Sequence, residues 1–183
     1  MNKKRRWLAL AALWLLSGCG SVREEKAFEE WRSQLERAAE ITFDTKITAH
    51  WEDAADTFSV HVTRREGETE ATVTEPETIA GITFRRGEGD WLQFDDLVLE
   101  LDGGHSNAVS PCEAPALLIE AVLEGWPRSY ASATGCQVVE LEAQGGETVM
   151  LTRGSDGTPL RCEILRGGAT ELTLTIDHWE IKE

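Results

Sequence analysis

His105 and Ser106 stand side by side in the run Gly103-Gly104-His105-Ser106-Asn107, and a base beside a hydroxyl nucleophile is the pairing that hydrolase chemistry uses. Chain neighbours, however, do not reach base-to-nucleophile geometry, and no nearby pattern supplies an oxyanion hole. Asp90, Asp95, Asp96 and Asp102 raise the question of calcium. Their spacing does not follow a calcium-loop pattern, and calcium needs six or more converging oxygens. With 33 acidic against 18 basic residues, a run of carboxylates reads as a solvated face. His50, His61 and His178 fall in strand patterns, on the polar side or near a strand end. No HExxH, GxSxG, P-loop or GxGxxG is present, so no catalytic residue, metal or cofactor is expected. The net charge of −15 repels phosphate backbones and argues against a nucleic-acid partner.

The front of the chain carries a different chemistry. Lys3-Lys4-Arg5-Arg6 precedes an apolar run from Trp7 to Leu16, too short for a hydrocarbon core that takes about twenty residues in a helix. It reads as a secretory signal rather than a membrane span. The following tetrad, Leu16-Ser17-Gly18-Cys19, resembles the bacterial lipobox. That resemblance implies cleavage between Gly18 and Cys19, a diacylglyceryl thioether on Cys19, and acylation of the new amine. Small Ser17 and Gly18 let a peptidase approach, and the thiol is the nucleophile. Two fatty chains give stable anchoring where one is marginal. Residues 1–18 are thus expected to be a lipoprotein signal peptide, 19–23 a lipidated N-terminus and short tether, and 24–183 a single domain. The expected address is the extracytoplasmic face of the cell membrane, or the outer membrane if the organism has two.

The elements that would position any site follow from periodicity. Ala27, Phe28, Trp31, Leu35, Ala38 and Ala39 recur at helical spacing over 24–40. The period then becomes two: Ile41, Phe43, Ile47, Ala49 and Trp51 alternate with polar residues, as do Phe58, Val60 and Val62. Glycine-bearing turns separate further alternating runs near 57–65, 69–75, 82–86, 91–94, 97–101, 136–142, 147–153, 159–165 and 169–177. The gaps are too short for parallel crossovers, so the sheet should be an antiparallel meander. One interruption holds a mid-chain helix, opened by Ser110, Pro111 and Glu113 and stopped by Gly125 and Pro127. Pro115 fits best if the regular helix starts near Ala114. With Cys19 assigned to lipid, Cys162 alternates with Leu160 and Ile164 and reads as core. Cys112 and Cys136 bracket the mid-chain helix and could form a disulfide, although spacing does not set the distance a bridge requires.

About ten strands at roughly 4.8 Å make a sheet some 45 Å wide, and a helix is about 10 Å across. Two helices cannot cover that width if it stays open. The sheet must curl, leave a cleft, or both. Either a filled core or an apolar cleft is compatible with this arithmetic.

This order of elements resembles the outer-membrane lipoprotein carrier superfamily, which includes LolA, LolB and LprG-like lipoproteins. The likeness covers residues 24–183 and is carried mainly by Pro76-Glu77-Thr78-Ile79-Ala80-Gly81-Ile82-Thr83-Phe84, leading into Leu92 and Leu97 to Leu101. It implies an α+β fold: a strongly curved antiparallel half-barrel with an N-terminal and a mid-chain helix on its concave face. It also implies binding of a lipid, acyl chain or lipidated protein without catalysis, and a monomer is expected. The candidate lining is Phe43, Phe58, Val60, Phe84, Leu92, Phe94, Leu99, Leu118, Val122 and Leu141. Arg64, Arg85 and Arg86 are candidate head-group contacts at the rim. The alternative is an envelope protein–protein interaction lipoprotein with an acidic surface and no ligand cavity.

Overall fold

The computed structural model describes residues 18–51, 54–101, 109–133 and 135–183. Helix α1 runs Gly18–Arg37, and the chain then enters strands β1 (Glu40–His50), β2 (Ala55–Arg65), β3 (Glu68–Glu75), β4 (Thr83–Arg86), β5 (Asp90–Phe94) and β6 (Leu97–Leu101). Helix α2 (Ala114–Glu124) follows, then β7 (Trp126–Ala133), β8 (Cys136–Glu142), β9 (Thr148–Gly154), β10 (Pro159–Arg166) and β11 (Ala169–Lys182). None of the helices among the described residues is long and apolar enough to cross a membrane.

All strands belong to one antiparallel sheet in the order β6-β5-β4-β3-β2-β1-β11-β10-β9-β8-β7. The chain is therefore two local meanders joined at one seam, β1 against β11. The sheet is open, with β6 and β7 at its edges. The expected curved α+β half-barrel is the architecture found. Register shifts interrupt five strand pairings and bend the ladder. At the seam, β11 carries an extra residue near His178, whose φ is +51°. This turns Trp179 inward to stack on Phe43 at a centroid separation of 4.9 Å.

Alternation decides which face is buried. Ile41, Phe43, Ile47 and Ala49 of β1, Val60 and Val62 of β2, and Ala71 and Val73 of β3 point inward with Leu172, Leu174 and Ile176 of β11. Thr42, Asp44, Lys46 and Thr48 take the other face. The inner face packs against Phe28, Trp31 and Leu35 of α1 and Leu118, Ala121 and Val122 of α2. Helix α1 lies over the β7 edge, while α2 crosses the hollow from β3 to β8.

Local signals explain the helix ends. Helix α2 begins at Ala114, which puts Pro115 in its first turn, where its missing N–H costs nothing. The Glu113 carboxylate accepts the Ser110 N–H at 3.3 Å, half of a capping box. Ser110 Oγ instead takes the N–H of Cys112, also at 3.3 Å. Two differences from the sequence reading stand out. Helix α1 ends at Arg37 rather than residue 40, because Glu40 already pairs with Arg65 and Lys182. Strand β7 occupies a stretch expected to hold only the stop signal of α2.

Glu40 ties three strands on one rung. Its carboxylate, buried in the folded chain, accepts from Arg65 on β2 and from Lys182 Nζ on β11. Lys182 first and Arg65 second hold its pKa below the ordinary carboxylate value. A carboxylate depressed in the fold contributes stability above its unfolded pKa and loses it as pH falls through the folded one. Glu40→Gln is expected to lower the melting temperature at pH 7. Melts repeated at decreasing pH should show the gap to wild type closing below the usual carboxylate range; a gap constant with pH would mean the charge plays no part.

Candidate functional site

The concave face supplies the site, and its cover is uneven. On the arm from β3 to β6, the inward residues form two apolar rungs. Ala71 pairs with Phe84, Phe84 with Leu92, and Leu92 with Leu99; at the hairpin end Phe94 pairs with Leu97. Phe84 is fully buried, yet beyond it the burial fades. Leu92 is half-buried, and Phe94, Leu97 and Leu99 are 42%, 57% and 46% exposed. Leu101 continues the same face and is half-buried. The stripe that forms the core thus runs out past α2 onto the β5–β6 ribbon and is left open there.

The expected lining divides accordingly. Phe43, Val60, Phe84, Leu118, Val122 and Leu141 are buried in the packed core. Phe58 and Leu92 are half-buried, and only Phe94 and Leu99 offer substantial surface. Leu97 and Leu101 join them, and their alternation with Leu99 is the signal that could have included them. An open depression of about 410 Å³ lies elsewhere, on the outward side of α1. Its walls are Lys26, Glu29, Glu30, Ser33, Gln34 and Arg37, and it offers a hydrocarbon chain little.

Charged groups rim the open stripe. Arg86 faces inward, binds Asp90 at 3.0 Å and reaches Glu120 of α2 at 3.3 Å, so it clamps α2 to β4. Burial pulls its pKa down, but the Asp90 hydrogen bond and the charges of Asp90 and Glu120 outweigh that and raise it. Arg85 points outward to Glu70 at 2.8 Å. Arg64 lies on the inner face, where burial lowers its pKa. Asp90 is therefore an ion-pair partner. Asp95 and Asp96 form the β5–β6 turn, with Asp95 at φ +50°. Asp102, His105 and Ser106 lie outside the described residues, as do residues 1–17 of the leader; for Gly18 and Cys19 only the helical backbone is described.

A second cluster was not foreseen. Arg153 of β9 falls in the inward register after Val149 and Leu151 and is only 3% exposed. Its guanidinium carbon lies 4.0 Å from the Trp31 ring centre; Nε donates to Gly157 O at 3.0 Å and Nη1 to Gln137 Oε1 at 3.2 Å. Among the described residues no carboxylate forms a salt bridge with it, and burial lowers its pKa to about 10. Phe28, Tyr130 and Trp179 complete an aromatic wall around Trp31. An arginine in an apolar alternation is the sequence signal for such a group. The Cys112–Cys136 pairing that the sequence left open is not made: both are free thiols. Cys112 is held in the turn before α2, while Cys136 closes the β7–β8 hairpin opposite Ala133. Burial raises the pKa of Cys112 and that of Cys162, which lies in the core as its alternation indicated.

Compared with protein-family models and with curated proteins, the sequence finds no match. Solved structures do match. A DUF1329 family protein from Desulfovibrio piger superposes with a TM-score of 0.51 at 12% identity, over 87% of this chain and 92% of the other. A protein described as an outer membrane lipoprotein-sorting protein domain, from Vibrio parahaemolyticus, gives 0.50 at 11% identity, over 86% and 93%. This chain shares the fold of these two proteins. A LolA superfamily protein from Nitrosomonas europaea matches at 0.47 and 14% identity, over 83% and 93%. At these identities the likeness is one of fold alone.

The contrast between the filled and open parts of that face is measurable. Phe84→Ala should cost about 3–5 kcal/mol in denaturant melts, as a buried aromatic does. Phe94→Ala should cost about 1 kcal/mol or less. Equal costs would mean that the ribbon is packed as tightly as the core.

Proposed function

We propose that this chain is a lipid-anchored, extracytoplasmic binding domain that receives an acyl chain, of a lipid or of a lipidated protein, against the uncovered end of its concave face, with no covalent chemistry. The observation that carries the reading is the inward stripe Leu92, Phe94, Leu97, Leu99 and Leu101, continuous with the core and exposed beyond the helices. The sorting role in the description of the Vibrio protein is compatible with it. Anchoring rests on the leader and Cys19 of the sequence. An acyl chain burying on the order of 200 Å² of apolar surface gains roughly 5 kcal/mol before the cost of association. That magnitude suits a ligand that is handed on rather than retained.

The packed interior favours a second reading. Six of the ten expected lining residues are already occupied by core contacts, which is what a protein-interaction lipoprotein without a cavity requires. The two separate cleanly. In the carrier reading, lipid co-purifies with the full chain in native mass spectrometry, and a fluorescent fatty acid binds it. Phe94→Glu and Leu99→Glu should then weaken that probe at least tenfold with little change in melting temperature. Absence of lipid, together with probe binding indifferent to both substitutions, would overturn the carrier reading.

A further inference from the structure

The two edges of the sheet are built differently. Strand β7 carries Pro127, a register shift between Pro127 and Ser129, the charged Arg128, and α1 packed across it. These are the devices that keep an edge strand from pairing. Strand β6 lacks that combination, and Glu100 is its one charged residue. Leu97–Leu101 contains no proline, lysine, arginine or bulge, and among the described residues it pairs, in unbroken register, with β5 alone. It exposes apolar side chains on both faces, Leu97 and Leu99 inward and Val98, 52% exposed, outward beside Glu100.

The backbone of β6 is available as well. The two-residue turn Asp95-Asp96 closes on the pair Phe94 and Leu97, so alternation of an antiparallel ladder directs the N–H and C=O of Leu97 and Leu99 to β5. Those of Val98 and Glu100 point to the open side. Around this edge stand Asp95, Asp96 and Glu100, none in a salt bridge among the described residues, while Arg85 and Arg86 are already paired with Glu70, Asp90 and Glu120.

We infer that the free edge of β6 is a docking strand for an extended basic polypeptide, which adds to the sheet by main-chain pairing at Val98 and Glu100 and sets its cations against Asp95, Asp96 and Glu100. A bilayer does not fit this edge, because hydrocarbon leaves outward N–H and C=O groups unpaired. A second copy fits poorly, because two-fold pairing would bring like carboxylates together on a chain of net charge −15. The site is independent of acyl binding, since Val98 faces away from the concave stripe.

The probe is a fluorescein-labelled nine-residue peptide alternating valine and lysine, with its valine–glutamate counterpart as control. Binding to the full chain is read by anisotropy, with sedimentation velocity run in parallel. Saturable binding of the lysine peptide alone is expected, weakening as salt is raised. Val98→Pro removes one outward N–H without touching the bonds to β5 and should lower affinity tenfold or more. Val98→Lys, which keeps the backbone bonds and repels the peptide, should do the same if the proline variant folds poorly. Asp95→Asn with Asp96→Asn should lower affinity several-fold. The inference is overturned if the lysine peptide fails to bind, if the glutamate peptide binds equally, or if the Val98 variants bind as wild type. It is equally overturned if wild type sediments as a dimer that Val98→Pro makes monomeric, since a second copy would then own the edge.

Discussion

The dominant constraint is a mismatch of widths. Eleven strands at roughly 4.8 Å span about 50 Å along the ladder, whereas each helix is about 10 Å across. Burial of one apolar face drives the fold, yet two helices reach only part of it. Register shifts curl the sheet and shorten the distance to be bridged. Helix α1 takes the β7 side and α2 the middle, and the shortfall falls on β5 and β6. The exposed leucines and Phe94 are thus the remainder of the same stripe that fills the core.

Polar groups on the inner face are tolerated where something else satisfies them. Arg86 sits between Asp90 and Glu120, and so converts an inward charge into a clasp on α2. Among the described residues Arg153 forms no salt bridge, and it relies on Gly157 O, Gln137 Oε1 and the face of Trp31. A guanidinium can be held that way because its flat, weakly hydrated surface stacks on aromatic rings while its edge donates hydrogen bonds. Trp31 is therefore both a core residue and the lining of a charge.

Most of the architecture was legible because alternation and glycine turns are local signals. Phe58, Val60 and Val62 announced β2, and Glu66-Gly67, both at positive φ, announced the turn after it. Strand β7 escaped notice because Trp126-Pro127-Arg128-Ser129 has no alternation and begins at a helix-stop signal. The seam of β1 and β11 joins residues more than a hundred positions apart, so no local pattern states it. Parity says which side chains share a face, but not where cover stops. That is why Phe84 and Phe94, alike in sequence pattern, have different fates. Arg153 was missed for a related reason: a charge in an apolar register looks like an error until its aromatic neighbour is seen.

The seam also governs the order in which the protein can be completed. Each meander pairs strands adjacent in sequence, so both can assemble as they leave the ribosome, with little loop-closure cost. The central position beside β1, by contrast, is filled by the strand of this sheet that is made last, residues 169–182. Through the synthesis of everything from β2 to β10, one flank of the apolar β1 has no neighbour. A nascent chain truncated before residue 169 loses the bond between its two halves, and with it the middle of its sheet.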